Sequence, residues 1–245
     1  MNIALIFAGG SGNRMGTALP KQFLKINSVP ILVHTMRLFE RHPEIDRMYL
    51  AVPEAYIPKA QELVGEYRLS RTRKVIAGGD SAQDTIYRLL REAAEENSED
   101  SVVLLHDGVR PFITMDLITR SIECVKKYGS AVTCIPSYET VIVSEDGEKV
   151  GEVPFRRETY TAQAPQSFYL KDILDAHEQI RKRPEGYENM VDACTILRTL
   201  GREVHMVRGN RGNLKITTPE DVFLYRALLE YREHQETFGL VSEGN

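Results

Sequence analysis

Apolar residues along the chain follow two rhythms. Short runs rich in Val, Ile and Leu stand at 3–7, 48–52, 74–77, 102–105 and 131–135, each continuous enough for a parallel strand buried on both faces. Between them lie stretches with apolar positions three and four apart. Pro30 stands at the start of one, where Ile31, Leu32, Thr35, Met36 and Phe39 trace a single helical face, and 82–95 repeats the theme with Ile86, Leu89, Leu90 and Ala93. This β-α-β alternation predicts an α/β fold, a doubly wound, mostly parallel sheet with ligands at the carboxyl ends of its strands.

The stretch from Tyr138 to Phe168 breaks the rhythm. There "SEDGEK" separates two alternating extended segments, which predicts a β-hairpin or arm, assigned to 138–165, leaving the main sheet. Such an arm is not stable alone, so packing on a partner subunit is expected, with a surface insertion as the alternative. From Lys171 the pattern returns to helices, then a strand over 203–207, then "GNLKITTPED" leading into a terminal helix. Thr218 suits the N-cap, Pro219 the first helical position, and Asp221 completes a capping-box spacing. Residues 1–235 read as one domain and 236–245 as a polar, frayed tail.

Composition narrows the function classes. A chain of 245 residues with 42% hydrophobic content buries a full core, and a net charge of -4 argues against general nucleic-acid binding, which needs clustered excess Lys and Arg. Cys124, Cys134 and Cys194 are scattered, with no CxxC pair, which fits a reducing compartment and gives neither a zinc site nor a disulfide framework. "MNIALIFAGG" has no basic segment ahead of its short apolar run and reads as a first strand, and no run reaches membrane-spanning length. The expectation is a cytoplasmic, soluble protein.

The chemistry concentrates in three segments. "FAGGSGNRMGTALPKQFL" follows the first strand, and its glycines let backbone N–H groups approach an anion closely. GxGxxG fails, because counting from Gly10 puts Met15 where the last glycine belongs, and GxxxxGK[ST] has no match. Arg14 and Lys21 beside such backbone donors suit a triphosphate; a plain glycine-rich turn with solvated cations is the alternative. In "LLHDGVRPF", Asp107 follows a buried strand, at the sheet edge where a hard carboxylate can hold Mg²⁺ against phosphate oxygens. Arg110 and Pro111 are expected to shape that turn, and His106, with no second His at metal spacing, to be a hydrogen-bonded core or loop residue. Lys215 is expected on a short strand near the end of the fold, where a lone lysine is ordinarily solvated.

"AGGSGNRMG…LPKQFL", "HDGVRPF", "QAPQSF", "DACTILRTLG" and "GNLKITTPED" stand in the order and spacing of the cytidylyltransferases that act on polyol phosphates, and the chain resembles that family over nearly its whole length. The family includes methylerythritol phosphate and ribitol-5-phosphate cytidylyltransferases. The resemblance implies a Rossmann-like, GT-A-like nucleotidyltransferase sheet, a Mg²⁺-dependent reaction with CTP, and a homodimer joined by the arm. It also implies roles: Arg14, Lys21 and Lys215 around the reacting phosphate; Ala8, Gly9, Gly10 and Gly12 as the backbone cradle; Gly79, Asp80 and Thr85 reading cytosine and ribose. Gly108 would approach the nucleotide, Asp107 would organise Mg²⁺, and Thr140 and Arg156 would grip the acceptor phosphate across the dimer. Three positions depart from the family pattern: Ala82 where Arg is common, Ala164 where Thr is, and Gly108 in place of Ala. "DTI", "VPFRRETYTAQAPQSF" and "DACTIL" look closer to the ribitol phosphate branch than to the methylerythritol branch. A nucleotidyltransferase activating a sugar 1-phosphate, or a non-catalytic nucleotide-binding homologue, are the other readings.

Overall fold

The computed structural model describes residues 1–9 and 19–238. In chain order the elements are β1 (Asn2–Phe7), a short antiparallel pair β2 (Lys25–Ile26) and β3 (Val29–Pro30), α1 (Ile31–Arg41), β4 (Arg47–Val52), α2 (Ile57–Glu66), β5 (Thr72–Ala77), α3 (Ala82–Glu96), β6 (Val102–Asp107), α4 (Met115–Tyr128), β7 (Ser130–Pro136), β8 (Tyr160–Tyr169), α5 (Leu170–Arg181), α6 (Ala193–Thr199), β9 (Met206–Arg208) and α7 (Pro219–Phe238). The main sheet has the order β5-β4-β1-β6-β8-β7-β9. β1 is parallel to β4 and β6, β4 to β5 and β7 to β9, whereas β8 runs antiparallel to both neighbours.

The strand pattern explains the layering. In β1, Ala4 and Ile6 point to one face and Ile3 and Leu5 to the other; β4 divides Met48, Leu50 and Val52 from Tyr49 and Ala51 in the same way. One face packs Met36 and Phe39 of α1, Leu63 of α2 and Leu117 and Ile122 of α4. The other packs Leu89 of α3, Ile173 of α5 and Ile196 of α6. Strands buried on both faces must be apolar throughout, which is why they read as continuous runs. Helix starts are fixed locally: Ser81, Thr114 and Asp192 accept N–H bonds from Asp84, Leu117 and Thr195.

The chain steps from β1 to β4 to β5, then returns across β1 to place β6 on its other side. Such a reversal opens a crevice at the carboxyl ends of the two strands. Phe7, Ala8 and Gly9 leave β1 there, and Asp107 closes β6 opposite Phe7.

Several expectations need correction. The excursion does not extend to residue 165, because β8 is an inner strand of the main sheet from Tyr160; it spans 137–159 with one isolated bridge, Val143 to Glu152, in place of a hairpin ladder. Alternation in "YTAQAPQSFY" reads equally as arm or sheet; pairing with β6 and β7 decides it. The strand expected at 203–207 is displaced to Met206–Arg208. Lys215 lies on no strand but in an irregular loop, tied down where Ile216 N–H donates to Val109 O at 2.9 Å. α7 takes in residues 236–238, so the helix reaches into the expected tail; 239–245 lie outside the described residues.

Candidate active site

Three loops meet at the crevice, each carrying the strand ladder one step further. Ala8 N–H donates to Ala51 O (2.8 Å), Gly78 N–H to Val52 O (2.8 Å) and Gly108 N–H to Phe7 O (2.9 Å). A cavity of about 430 Å³ lies between them, lined by Phe7, Ala8, Gly9, Lys21, Gln22, Gly79, Asp80, Ser81, Thr85, Asp107 and Lys215 among others. A second, of about 190 Å³, shares Phe7, Ala82, Asp107 and Lys215 with the first and reaches Gln163, Ala164, Gln166 and Asp192.

Asp107 is the electrostatic centre. Its carboxylate is nearly buried, and it accepts from Lys215 Nζ on Oδ1 (2.6 Å) and from Arg110 Nε on Oδ2 (2.8 Å). Burial opposes ionisation, but the Lys215 and Arg110 cations outweigh it and hold the carboxyl below its usual range. Arg110 also donates from Nη1 to Asn213 O at 2.8 Å, and fully buried Asn213 donates from Nδ2 to Ala164 O at 2.6 Å. Arg110 therefore shapes its turn, as expected, and moors the loop that presents Lys215. His106 behaves as a core residue: burial pushes it down to about 4, and its ring packs edge-on against Phe39 with Nε2 3.2 Å from Arg110 O.

On the opposite wall, Lys21 sits in a short 3₁₀ turn, Lys21–Phe23, and is largely buried. Gln22 beside it donates to Ala8 O at 2.6 Å, bracing the first glycine loop from below. Thr85 braces two loops at once. Its hydroxyl accepts from Gly79 N–H (2.9 Å) and donates to Ser81 O (2.8 Å), and it lies 3.3 and 3.2 Å from where a Cβ at Gly9 or Gly78 would stand.

The structure thus brings Ala8, Gly9, Lys21, Gly79, Asp80, Thr85, Asp107 and Lys215 to one cavity. Gly108 follows Asp107 but is not among the residues lining the cavity, and a Cβ there would stand 2.9 Å from Ala8 Cβ and 3.0 Å from Leu32 Cδ1, so its lack of a side chain serves packing beneath the loop. Gly10, Gly12 and Arg14 lie outside the described residues. Thr140 and Arg156 are exposed on the excursion, away from this cavity; Arg156 lines a surface recess with Pro136, Ser137, Phe155 and Arg157. Sequence reading missed Gln22 and Asn213 as braces, although both adjoin charged positions it had singled out.

Asp107 presents a single carboxylate to the cavity, with Lys215 on one oxygen and Arg110 on the other. Among the described residues no group of three or more His, Cys, Asp or Glu side chains gathers into a metal cage. A lone carboxylate offers at most one protein ligand, so a Mg²⁺ ion there would take the rest of its shell from phosphate oxygens and water. No helix among the described residues is long and apolar enough to cross a membrane.

Comparison with known proteins gives this geometry its family. Residues 2–231 match the model for IspD, 2-C-methyl-D-erythritol 4-phosphate cytidylyltransferase. The chain is 39% identical over 240 residues to a ribitol-5-phosphate cytidylyltransferase of Vibrio parahaemolyticus serotype O3:K6, covering 98% of this chain and 100% of that one. It is equally similar, 39% over 241 residues with the same coverage, to the enzyme of that name from Streptococcus agalactiae serotype V. In three dimensions it resembles 4-diphosphocytidyl-2C-methyl-D-erythritol synthase from Anaerococcus prevotii with a TM-score of 0.80 and 27% identity, covering 94% of this chain and 96% of that one. With Lys21, Asp107 and Lys215 gathered beside Ala8 and Gly9, and with the family model matched over residues 2–231, the chain belongs to the polyol-phosphate cytidylyltransferase family, enzymes that move CMP from CTP onto the phosphate of a polyol.

Proposed function

We propose that the acceptor is D-ribitol 5-phosphate and that the products are CDP-ribitol and pyrophosphate. The observation that carries this choice is full-length 39% identity to two ribitol-5-phosphate cytidylyltransferases, against 27% to the Anaerococcus synthase. Methylerythritol phosphate is the second reading, favoured by the description of the matching family model.

In this reading the larger cavity receives CTP. Ala8 and Gly9 offer backbone groups to the phosphates, with Lys21 on one side of the α-phosphate and Lys215 on the other; Gly10, Gly12 and Arg14 are assigned to phosphate binding by the family resemblance alone. Gly79 and Asp80 offer backbone groups to cytosine and ribose. Thr85 acts from beneath, since its hydroxyl is already committed to Gly79 and Ser81. Asp107, held ionised by its two cations, would hold Mg²⁺ together with triphosphate oxygens; the ion, when bound, supplies charge neutralisation for the leaving pyrophosphate.

The acceptor's phosphate monoester is already ionised near neutral pH and attacks the α-phosphorus without a general base, so catalysis is positioning and neutralisation of charge. Lys215 spans both needs: 2.6 Å from Asp107, it is fixed before substrate arrives and faces the cavity where negative charge accumulates. Thr140 and Arg156 grip the acceptor phosphate in a partner subunit, the excursion being the dimer arm and the assembly cytoplasmic. Support for this comes from the exposure of Ile142, Val150, Val153 and Phe155 on a segment with almost no ladder of its own.

The test is pyrophosphate release from CTP and Mg²⁺ with ribitol, methylerythritol and glycerol phosphates in parallel. Preference for ribitol phosphate is expected. Preference for methylerythritol phosphate would overturn the acceptor and leave the CTP site standing.

A further inference from the structure

The loop over 78–81 walls the larger cavity, and its backbone lies directly over the Asp84 side chain: a Cβ at Gly79 would stand 2.6 Å from Asp84 Cγ. Glycines at 78 and 79 give this loop the widest conformational range of any backbone. Something outside the loop must therefore confine it. Thr85 does so from beneath, and the Asp84 carboxylate occupies the space that a side chain at 79 would fill.

That carboxylate is itself held from outside the cavity. Arg88, one turn along α3, donates from Nε to Oδ2 at 3.1 Å and from Nη1 to Gly78 O at 3.1 Å. Arg181, the last residue of α5 and 97 positions away in sequence, donates from Nη1 to Oδ1 at 2.8 Å. Its guanidinium lies 4.3 Å from the centroid of the Tyr87 ring and 5.7 Å from that of Tyr187, whose hydroxyl is 2.7 Å from Nδ1 of buried His177. Arg181 is thus seated by two aromatic rings before it meets Asp84, which lowers the entropy a long side chain loses in an ion pair.

We propose that Asp84 and Arg181 are a positioning pair that fixes the 78–81 backbone for the cytidine half of CTP. Neither touches the reacting atoms. The inference rests on reading the larger cavity as the CTP site. Without Arg181 the carboxylate keeps only Arg88, an exposed neighbour on its own helix, and the glycine loop rests on Thr85 and Arg88, so more of its ordering falls to CTP and affinity falls while chemistry does not.

Calorimetric titration with CTP and Mg²⁺, paired with steady-state kinetics, tests this. Arg181→Ala is expected to raise Kd and KM for CTP about tenfold, with kcat and the acceptor KM within about twofold of the parent. Arg181→Lys, which retains the charge but not the planar stack, should recover part of the loss. Asp84→Asn should weaken CTP binding to a similar extent, and adding Arg181→Ala to it should do no further harm. Unchanged CTP affinity in Arg181→Ala, additive losses in the double variant, or a fall confined to kcat or acceptor KM would each overturn the pair's role. A parent protein that binds CTP no better than UTP or GTP would instead overturn the reading of the cavity, and this inference with it.

Discussion

The crevice between β1 and β6 and the excursion over 137–159 belong to one chain and obey opposite physics. In the crevice the central charges are fixed by one another: Asp107 carries Lys215 and Arg110, and Arg110 reaches on to Asn213. The excursion has one bridge, and Phe155 is 70% exposed. A site preorganised within one chain can neutralise charge without rearranging. A segment with apolar residues and no ladder takes its order from something it packs against.

The largest expected effect tests the first half of that contrast. Lys215→Ala should lower kcat for pyrophosphate release by about 10²–10³, the range for losing one preorganised electrostatic group. The fold should hardly notice, because the Lys215 side chain is 43% exposed and Asp107 retains Arg110. A melting transition lowered in proportion to activity would mean that the lysine is chiefly structural.

Next is acid sensitivity, which the packed helices behind the crevice should show and the excursion should not. Burial pushes His177 down to about 3, with Arg181 adding to the shift, from an ordinary value of 6.5. Below pH 6.5 the unfolded chain therefore binds a proton that the folded chain refuses, so stability is full above 6.5 and falls as the pH drops. By pH 5 this ring accounts for about 2 kcal/mol. Urea unfolding at pH 7 and pH 5 should show the loss, and His177→Phe should remove that share of it. Parallel pH profiles for the two proteins would contradict the assignment.

For the excursion, Arg156→Ala should raise the acceptor KM about tenfold, equivalent to ~1.4 kcal/mol, with CTP affinity unchanged. Phe155→Asp should shift the protein towards monomer in sedimentation without lowering its melting temperature appreciably. If Phe155→Asp sediments like the parent and Arg156→Ala uses acceptor normally, the excursion is a surface insertion.

The same contrast marks what could be read from the sequence. Strands 3–7, 48–52 and 102–105 were legible because burial on both faces forces unbroken apolar runs, and the carboxyl ends of two of them located Ala8, Gly9 and Asp107. Lys215 was legible only through its motif; its loop is held by Arg110, Asn213 and Val109, contacts spanning about a hundred residues that no local pattern encodes. The first part of β8, residues 160–165, reads as arm because alternation does not say which strand a segment will join. Ala82 stands where the family pattern has Arg, and no local pattern shows that Arg88 and Arg181 bring cations to the neighbouring Asp84 from elsewhere.

The smallest effect asks what holds Lys215 in place. Asp221 Oδ2 accepts the N–H groups of Thr217 (2.7 Å) and Thr218 (2.8 Å), tying the end of the lysine loop to the first turn of α7. From the other side the loop is held by Arg110 to Asn213 O and by Ile216 N–H to Val109 O, both at the sheet edge. If the sheet edge governs, Asp221→Ala costs about 1 kcal/mol of stability, as the loss of a helix cap does, and leaves kcat within about twofold. Denaturant melts and turnover on the same preparation separate the two possibilities. A fall in kcat approaching that of Lys215→Ala would mean that a peripheral helix positions the lysine, and the crevice would then lean on an outside element much as the excursion does.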